Sequence, residues 1–599
     1  MKKRFAVLAF SFAALSALVF CSCKLPERPP ADGGGQSEKK VTVSFNLNYE
    51  PSPAPPESKE VTVGQPYGTL PAPEREDYEF SGWFFRDGVE QAAKGTVVTR
   101  EINHTVFAKW TGEGGPEPWI PPEEKPDWDV DPELYPQYEI PVYKKGVKMP
   151  IGAWEPYIRT SSGAIASQSA FNDAANAGFT FLMPLWLDMD FGSDKERGET
   201  IMARASAAGL KVMVQDTKLT QSNSSSLTNR TSWDTSRVQF YKDSPAFMGL
   251  YIYDEPHATD SWGNAGNGNT AWINNRYGWI AEKRARFDET FGAKTDKEFY
   301  ITLLPPVQDS VSGDTSNLSF FGTSWVNYMQ KFLDMGASWL SFDHYVLTKS
   351  SNSASATNSV TSNYFYTLET TKKLADQNGV PLNNIMLSIP HYKTGINAKY
   401  YRDPTEAELR WQVTVDQTFG ADSIVYYSYM TTGSDEEWTY GEGLVSRAGV
   451  KQPKYEYAKT VNNQAQAWAH VYKNFKWQKA AGIRQSGSSS YDLFTKMQTG
   501  FASGNISGFS AVSAVTADRH VLLSEFKDGD GRMGYMLTNA TDPASKFTAT
   551  STVKFGGAYK AALIYEKGAA RVIELNASGE AQVILEPGEG KFLIPLGLK

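Results

Sequence analysis

Phe247-Met248-Gly249-Leu250-Tyr251-Ile252-Tyr253-Asp254-Glu255-Pro256 decides how the rest of this chain reads. A continuous apolar, β-prone run closed by a turn signal is the pattern of a buried strand in a parallel sheet. It ends in two carboxylates and a proline. Two acids at the mouth of such a strand are costly to desolvate, so core packing gives no reason for them. In a β/α barrel the C-terminal strand ends carry the reacting groups. A bland alternative stands beside this one: an Asp-Glu pair that caps the next helix or binds loop amides.

Outward from this stretch, residues 146–475 alternate strand and helix eight times. The strands read as Met149–Trp154, Phe179–Leu187, Lys211–Asp216, Phe247–Glu255, Phe299–Pro305, Trp339–Tyr345, Ile385–Tyr392 and Ile424–Met430. Amphipathic segments lie between them, several closed by a glycine (Gly178, Gly209, Gly292, Gly336, Gly379, Gly420), as helix C-termini are. Eight such units over roughly 300 residues predict a (β/α)8 TIM barrel. An open doubly wound sheet is the rival, but no glycine-rich phosphate loop follows the first strand.

The predicted strand ends make a coherent rim. They are Trp154-Glu155, Trp186-Leu187-Asp188, Gln215-Asp216, Tyr253-Asp254-Glu255-Pro256-His257, Asp343-His344-Tyr345, His391-Tyr392-Lys393 and Tyr427-Ser428-Tyr429, followed by Asp435-Glu436-Glu437-Trp438. Acids, imidazoles and flat rings on one rim suit a glycan: a proton donor, a second carboxylate, partners for hydroxyls and stacking faces. The candidate catalytic residues are therefore Glu255, Asp343 and Asp254. The candidate substrate-binding residues are Trp154, Trp186, Asp216, His344, Tyr345, His391, Tyr392 and Tyr429. The rings among them equally suit barrel filling. Asp254 is expected to hold Glu255 or to raise its pKa by like charge.

On these residues the barrel resembles the clan A glycoside hydrolases. Tyr-Asp-Glu-Pro closes the fourth strand and Asp343-His344-Tyr345 the sixth, and Glu408-Leu-Arg-Trp-Gln leads through Phe419-Gly420-Ala421 into a tyrosine-rich eighth. The resemblance implies that Glu255 is the general acid/base. Two positions depart from it. Asp254 stands where asparagine is usual, and the seventh strand (Ser388-Ile-Pro-His391-Tyr392) lacks the nucleophilic glutamate. Asp343 is the best substitute, and a wide gap between it and Glu255 would imply inversion. Glu155, Asp216 and Glu436 are weaker candidates, and Glu408 reads as structural.

Residues 480–599 change character: short strands and the hairpin turn Asp528-Gly-Asp-Gly531 predict an antiparallel β-sandwich. Upstream, residues 41–111 form a small β module. Its opening strand, Gly64-Gln-Pro-Tyr-Gly68, Phe80-Ser-Gly-Trp83 and closing Ala108-Lys-Trp110 resemble the Listeria–Bacteroides repeat, a β-grasp-like module that implies surface display. Residues 112–145 read as a Pro-rich linker and 24–40 as a flexible tether. Residues 1–23 have a basic start, an apolar run and Phe-Cys-Ser-Cys, an export signal. This resembles a bacterial lipoprotein signal, with lipidation at Cys23 and Cys21 as the alternative; a plain secretory signal is the simpler reading. The fold class is thus multidomain: β-grasp-like module, TIM barrel, β-sandwich.

The whole chain sets limits. Among 599 residues only Cys21 and Cys23 are cysteines, so the remainder has neither a disulfide framework nor a cysteine metal site. A net charge of −8 without a long basic run argues against nucleic acid as a partner. No cofactor or metal is expected. The expected partners are a glycan and, through a lipid on the N-terminus alone, a membrane at the bacterial cell surface. The competing readings are a glycan-binding lipoprotein whose barrel has lost its nucleophile, and an adhesion protein that works through the small module.

Overall fold

The computed structural model describes residues 40–599 apart from 50–52, 86–88, 101–103, 113–114, 117–127, 161, 187–194, 221–232, 257–269, 307–318, 321–322, 396–397, 498–500 and 503–505. Cys23 and the rest of the N-terminal segment lie outside these. The chain divides into two compact units, Met1–Lys125 and Pro126–Lys599. Among the described residues no helix is long and apolar enough to cross a membrane.

In the first unit, strand Lys40–Asn46 lies at the centre of a mixed sheet. It pairs antiparallel with Lys59–Thr62 and parallel with His104–Gly112, which continues to Tyr78–Phe84 and Gln91–Ala92. Alternate residues Val41, Val43 and Phe45 point inward to meet Trp83, Val106, Ala108 and Trp110. The two tryptophans bond through their indole N–H to backbone carbonyls, Trp83 to Pro71 at 2.7 Å and Trp110 to Leu47 at 2.8 Å. These motif residues hold the module together.

The second unit contains a closed barrel of eight parallel strands: β1 (Ile151–Trp154), β2 (Phe181–Trp186), β3 (Lys211–Gln215), β4 (Phe247–Asp254), β5 (Glu298–Leu303), β6 (Leu340–Asp343), β7 (Leu382–Leu387) and β8 (Ser423–Tyr427). They neighbour one another in chain order, and β8 closes on β1 through Ile424 and Ile151. Among the described residues seven helices of nine or more residues accompany them: α1 (Gln168–Asn176), α2 (Lys195–Ala207), α3 (Thr270–Phe291), α4 (Trp325–Asp334), α5 (Tyr364–Asn378), α6 (Glu406–Thr418) and α7 (Pro453–Ala467). The six glycines read as helix stops all have positive φ, from +66° at Gly379 to +95° at Gly292. Between β3 and β4 the described residues hold only a 3-10 turn, Thr235–Phe240. The lumen is filled by Phe181, Met183, Met213, Tyr251, Tyr300, Trp339, Ile385 and Val425, with Trp154 among them. Gly249 in β4 is obligatory, because a Cβ there would lie 2.3 Å from the Glu298 carbonyl on β5.

The sandwich has a seven-stranded sheet and a three-stranded sheet (Val512–Ala517, Ala549–Phe555, Glu580–Leu585) enclosing Val515, Leu523, Tyr535, Leu537, Val553, Ile564 and Leu593. Its first long strand, Phe475–Ile483, starts where the sequence reading still placed barrel. The capping box of α6, Thr405 with Glu408, also takes the Arg402 guanidinium at 3.2 Å, so Glu408 is structural.

Residues 128–145, expected as linker, are docked instead. Tyr138, Ile140 and Tyr143 are buried, and the Tyr143 hydroxyl donates to Asp528 at 3.0 Å. Asp129 accepts from Tyr565 at 2.7 Å and contacts His470 at 2.9 Å and Lys145. The alternating apolar residues in this Pro-rich text carry that packing, which composition alone did not reveal.

Candidate active site at the barrel mouth

Strand β4 delivers its acids through an abrupt backbone turn. Asp254 is the last strand residue and Glu255 has φ +43°, a left-handed conformation rare for a side chain of this size. Neighbours hold it there: Glu255 N–H donates to the Thr302 carbonyl on β5 at 3.0 Å, and the Tyr328 hydroxyl of α4 donates to the Pro256 carbonyl at 2.8 Å. Glu155, just past β1, has the same kind of backbone, φ +48°. Residues kept in sparse backbone regions by the surrounding fold cluster at functional sites.

Four carboxyl groups meet here. Glu255 and Asp343 approach closely enough to share a proton. The Asp343 charge, and then burial, push the Glu255 pKa well above the ordinary carboxylate range. Burial raises Asp343 to about 6, with the Glu255 carboxyl and the Tyr345 hydroxyl acting against the rise. Both directions favour the proton on Glu255 and the charge on Asp343. Among the described residues, the buried Asp343 Oδ1 has no hydrogen-bond donor apart from the neighbouring carboxyl.

Asp254 accepts from the Tyr251 hydroxyl at 2.6 Å, and that hydroxyl also lies 3.1 Å from Thr302 Oγ1. Asp254 is open to solvent although protein surrounds it, as expected at the floor of a cleft. Burial and then the Glu255 charge raise its pKa to about 7, and Glu155 adds to the rise. Glu155 itself accepts from Thr432 at 2.7 Å, and burial raises its pKa.

One expectation changes: the neighbour that raises Glu255 is Asp343, two strands on, not the adjacent Asp254.

A wall of rings stands beside the acids. Tyr345 stacks on Tyr427 at 5.1 Å between centroids. His391 lies among Tyr401 (4.4 Å), Tyr440 (5.2 Å), Trp438 (5.2 Å) and Tyr345 (5.5 Å). Its Nδ1 is 3.0 Å from the Ile389 carbonyl, which makes Nδ1 the protonated nitrogen, and burial lowers its pKa to about 4. His391 does not extend β7. Ser388-Ile-Pro390 breaks the chain, and His391–Lys393 forms a rim sheet with Lys399–Tyr400 and Thr439–Tyr440. Trp438 stands on the rim as the sequence suggests, and Tyr401 and Tyr440, which complete this wall, are not among the residues expected there. The Tyr-rich text around them was the only signal.

Other candidates are placed elsewhere. Trp154 is 6% exposed and stands edge-on to Tyr251 at 5.5 Å, so it forms the floor of the mouth rather than a stacking platform. Asp216 is fully buried against the Arg237 guanidinium and the Tyr241 hydroxyl, a structural ion pair. Tyr429 packs on Phe179 at 5.4 Å in the outer core. His344 is turned to the α5 side, edge-on to Tyr364 at 5.5 Å, and burial drives its pKa to about 3. Tyr392 stacks on Tyr400 across the rim sheet, on the face opposite His391. Asp188, His257 and the Trp186 side chain lie outside the described residues, and Glu436 is exposed on the rim loop. Among the described residues no group of three or more His, Cys, Asp or Glu could hold a metal ion.

Comparison with known proteins adds the following. Residues 42–109 match the Listeria–Bacteroides repeat domain. No curated protein matches the chain. Among solved structures, similarity is found to a catalytic mutant of a GH42 beta-galactosidase from G. stearothermophilus, at 7% identity over 76% of this chain and 99% of that one, TM-score 0.46. A putative alpha-galactosidase from Bacteroides fragilis aligns at 10% identity over 93% and 97%, TM-score 0.38. A beta-galactosidase from the psychrophilic Marinomonas ef1 aligns at 10% identity over 54% of this chain, TM-score 0.38, and the chain spans 60% of that protein. The barrel assignment rests on the closed strand order of this chain.

Proposed function

We propose that the chain is a glycoside hydrolase that cleaves O-glycosidic bonds of an oligosaccharide or polysaccharide. One observation carries the reading: at the C-terminal rim, the Glu255 and Asp343 carboxyls meet at hydrogen-bonding range beside an aromatic wall, in surroundings that favour the proton on Glu255. Hydrolysis of a glycoside needs one carboxylic acid to protonate the leaving oxygen and one carboxylate to meet the developing positive charge. Glu255 is the acid and Asp343 the carboxylate. Retaining pairs stand about 5–5.5 Å apart and inverting pairs wider, so a substrate must part the two hydrogen-bonded carboxyls, and the configuration of the product tells which course follows. Asp254 and Tyr251 fix the floor of the site. Tyr345, Tyr401, Trp438 and Tyr440 offer ring faces to the sugar.

The N-terminal sequence and the repeat domain support a place at the bacterial cell surface, with a lipid on Cys23 as the anchor. A barrel that binds glycan without cleaving it is the second reading, and the absence of a carboxylate at the end of β7 favours it.

Reducing-sugar release from a glycan panel by wild type and Glu255→Gln decides between them. The variant is expected to lose about 10²- to 10⁴-fold in turnover and to keep glycan binding. Equal release by both proteins would remove Glu255 from the mechanism. Binding without release by either would leave the binding reading.

A further inference from the structure

The rim sheet carries a charge that the site as described does not use. Side chains alternate across a strand, so His391, Lys393, Lys399 and Tyr401 share the face that meets Tyr345, while Tyr392 and Tyr400 stack on the other face. Lys393 and Lys399 are register partners, which sets two ammonium groups side by side. Like charges opposite one another destabilise a strand pair.

Lys393 is compensated: it pairs with Glu437 at 2.6 Å and lies over the Trp438 ring at 5.1 Å. Lys399 is exposed, and among the described residues no carboxylate comes within ion-pairing distance of it. Its charge reaches both Glu255 and His344.

A cation whose charge reaches a proton donor works against the donor, because it favours the ionised acid. An anion seated on Lys399 would cancel that pull when substrate is bound. It would also relieve the lysine pair. A second exposed cation, Arg447, lies where its charge acts on Glu155 at another side of the floor.

We propose that the glycan is anionic, and that Lys399 pairs with a carboxylate or sulfate on the sugar next to the cleaved bond. This rests on the hydrolase reading. A neutral sugar would leave an uncompensated ammonium beside the proton donor. An anionic sugar fills the position with a charge-assisted hydrogen bond. Trp438 and Tyr401, stacked 6.1 Å apart on the same side, give the ring of that sugar a face to lie on.

The test uses the full chain with matched neutral, uronate-bearing and sulfated oligosaccharides. Wild type is compared with Lys399→Met, which keeps the apolar stem, and with Lys399→Arg, which restores the charge. Wild type should prefer one anionic series. Lys399→Met should lose about tenfold or more in KM for that series, as the loss of a hydrogen bond to a charged group implies. Lys399→Arg should recover most of it, and added salt should erode the preference.

Which anionic series responds identifies carboxylate or sulfate. An anionic-to-neutral ratio unchanged in Lys399→Met would overturn the proposal while leaving the hydrolase standing. Should no substrate be cleaved, the hydrolase reading fails. Calorimetric binding of the uronate and sulfated oligosaccharides to the same proteins then decides. Binding weakened by Lys399→Met upholds the anion site, and absent or equal binding overturns it.

Discussion

Replacing Asp343 with asparagine keeps the side-chain shape and removes the charge that does most to raise the Glu255 pKa. Two unit charges about 4 Å apart at an effective dielectric of about 20 interact by about 4 kcal/mol, so the loss of the Asp343 charge lowers the Glu255 pKa. Burial of Glu255 persists in the variant, so its pKa should stay above an exposed glutamate's. Carbon-13 NMR titration of glutamate-labelled wild type and Asp343→Asn reads this directly and needs no turnover. A Glu255 midpoint that is the same in both proteins would refute the shared-proton pair.

Stability gives a second reading of the same variant. Asp343 has its pKa raised to about 6 in the fold, above its ordinary 3.8. Between those values the native state binds more protons than the unfolded chain, so stability is fullest below pH about 4 and declines as pH climbs through about 6. The loss from this group approaches about 3 kcal/mol. Asp343→Asn should match wild type in urea midpoint at pH 4 and exceed it at pH 8.

Further outcomes are expected at neighbouring residues. Tyr251→Phe removes the hydroxyl that lowers the Asp254 pKa; the acidic-to-neutral titration of Asp254 should move upward, and thermal unfolding should show a loss of about 1 kcal/mol. Arg237→Ala strands the fully buried Asp216 and should cost about 3–5 kcal/mol in denaturant unfolding, with the loss smaller at low pH, where burial already favours a protonated Asp216. Trp438→Ala should raise KM several-fold with little change in kcat, as befits a ring that binds ground and transition states alike.

The barrel was legible because each strand is a short apolar run between turn signals, and because Glu255 stands where such a run stops. What could not be read was which way the strand ends face. Asp216 and Asp343 both follow buried strands. Asp216 meets Arg237 and Tyr241, which arrive from a turn some twenty residues on, whereas Asp343 meets Glu255 from two strands away. Neither partner is visible locally. Ser388-Ile-Pro390 was read through as strand, although the proline is a reason to stop there. Tyr401 and Tyr440 are not legible because they lie in or beside strands too short to show periodicity and are assembled by pairing across distant loops. Glu155 looked like a lone acid, and its weight comes from Asp254, which lies on the fourth strand.

The docked strap 128–145 sets the route by which traction enters the molecule. Tyr138 bridges to Leu598, the Lys599 N–H donates to the Gln137 carbonyl at 3.0 Å, and Asp129 grips Tyr565 and His470 together. A pull on the N-terminal part of the chain is therefore taken up first at the edge of the sandwich and by the chain's own C-terminal strand. The load is spread before it reaches β1.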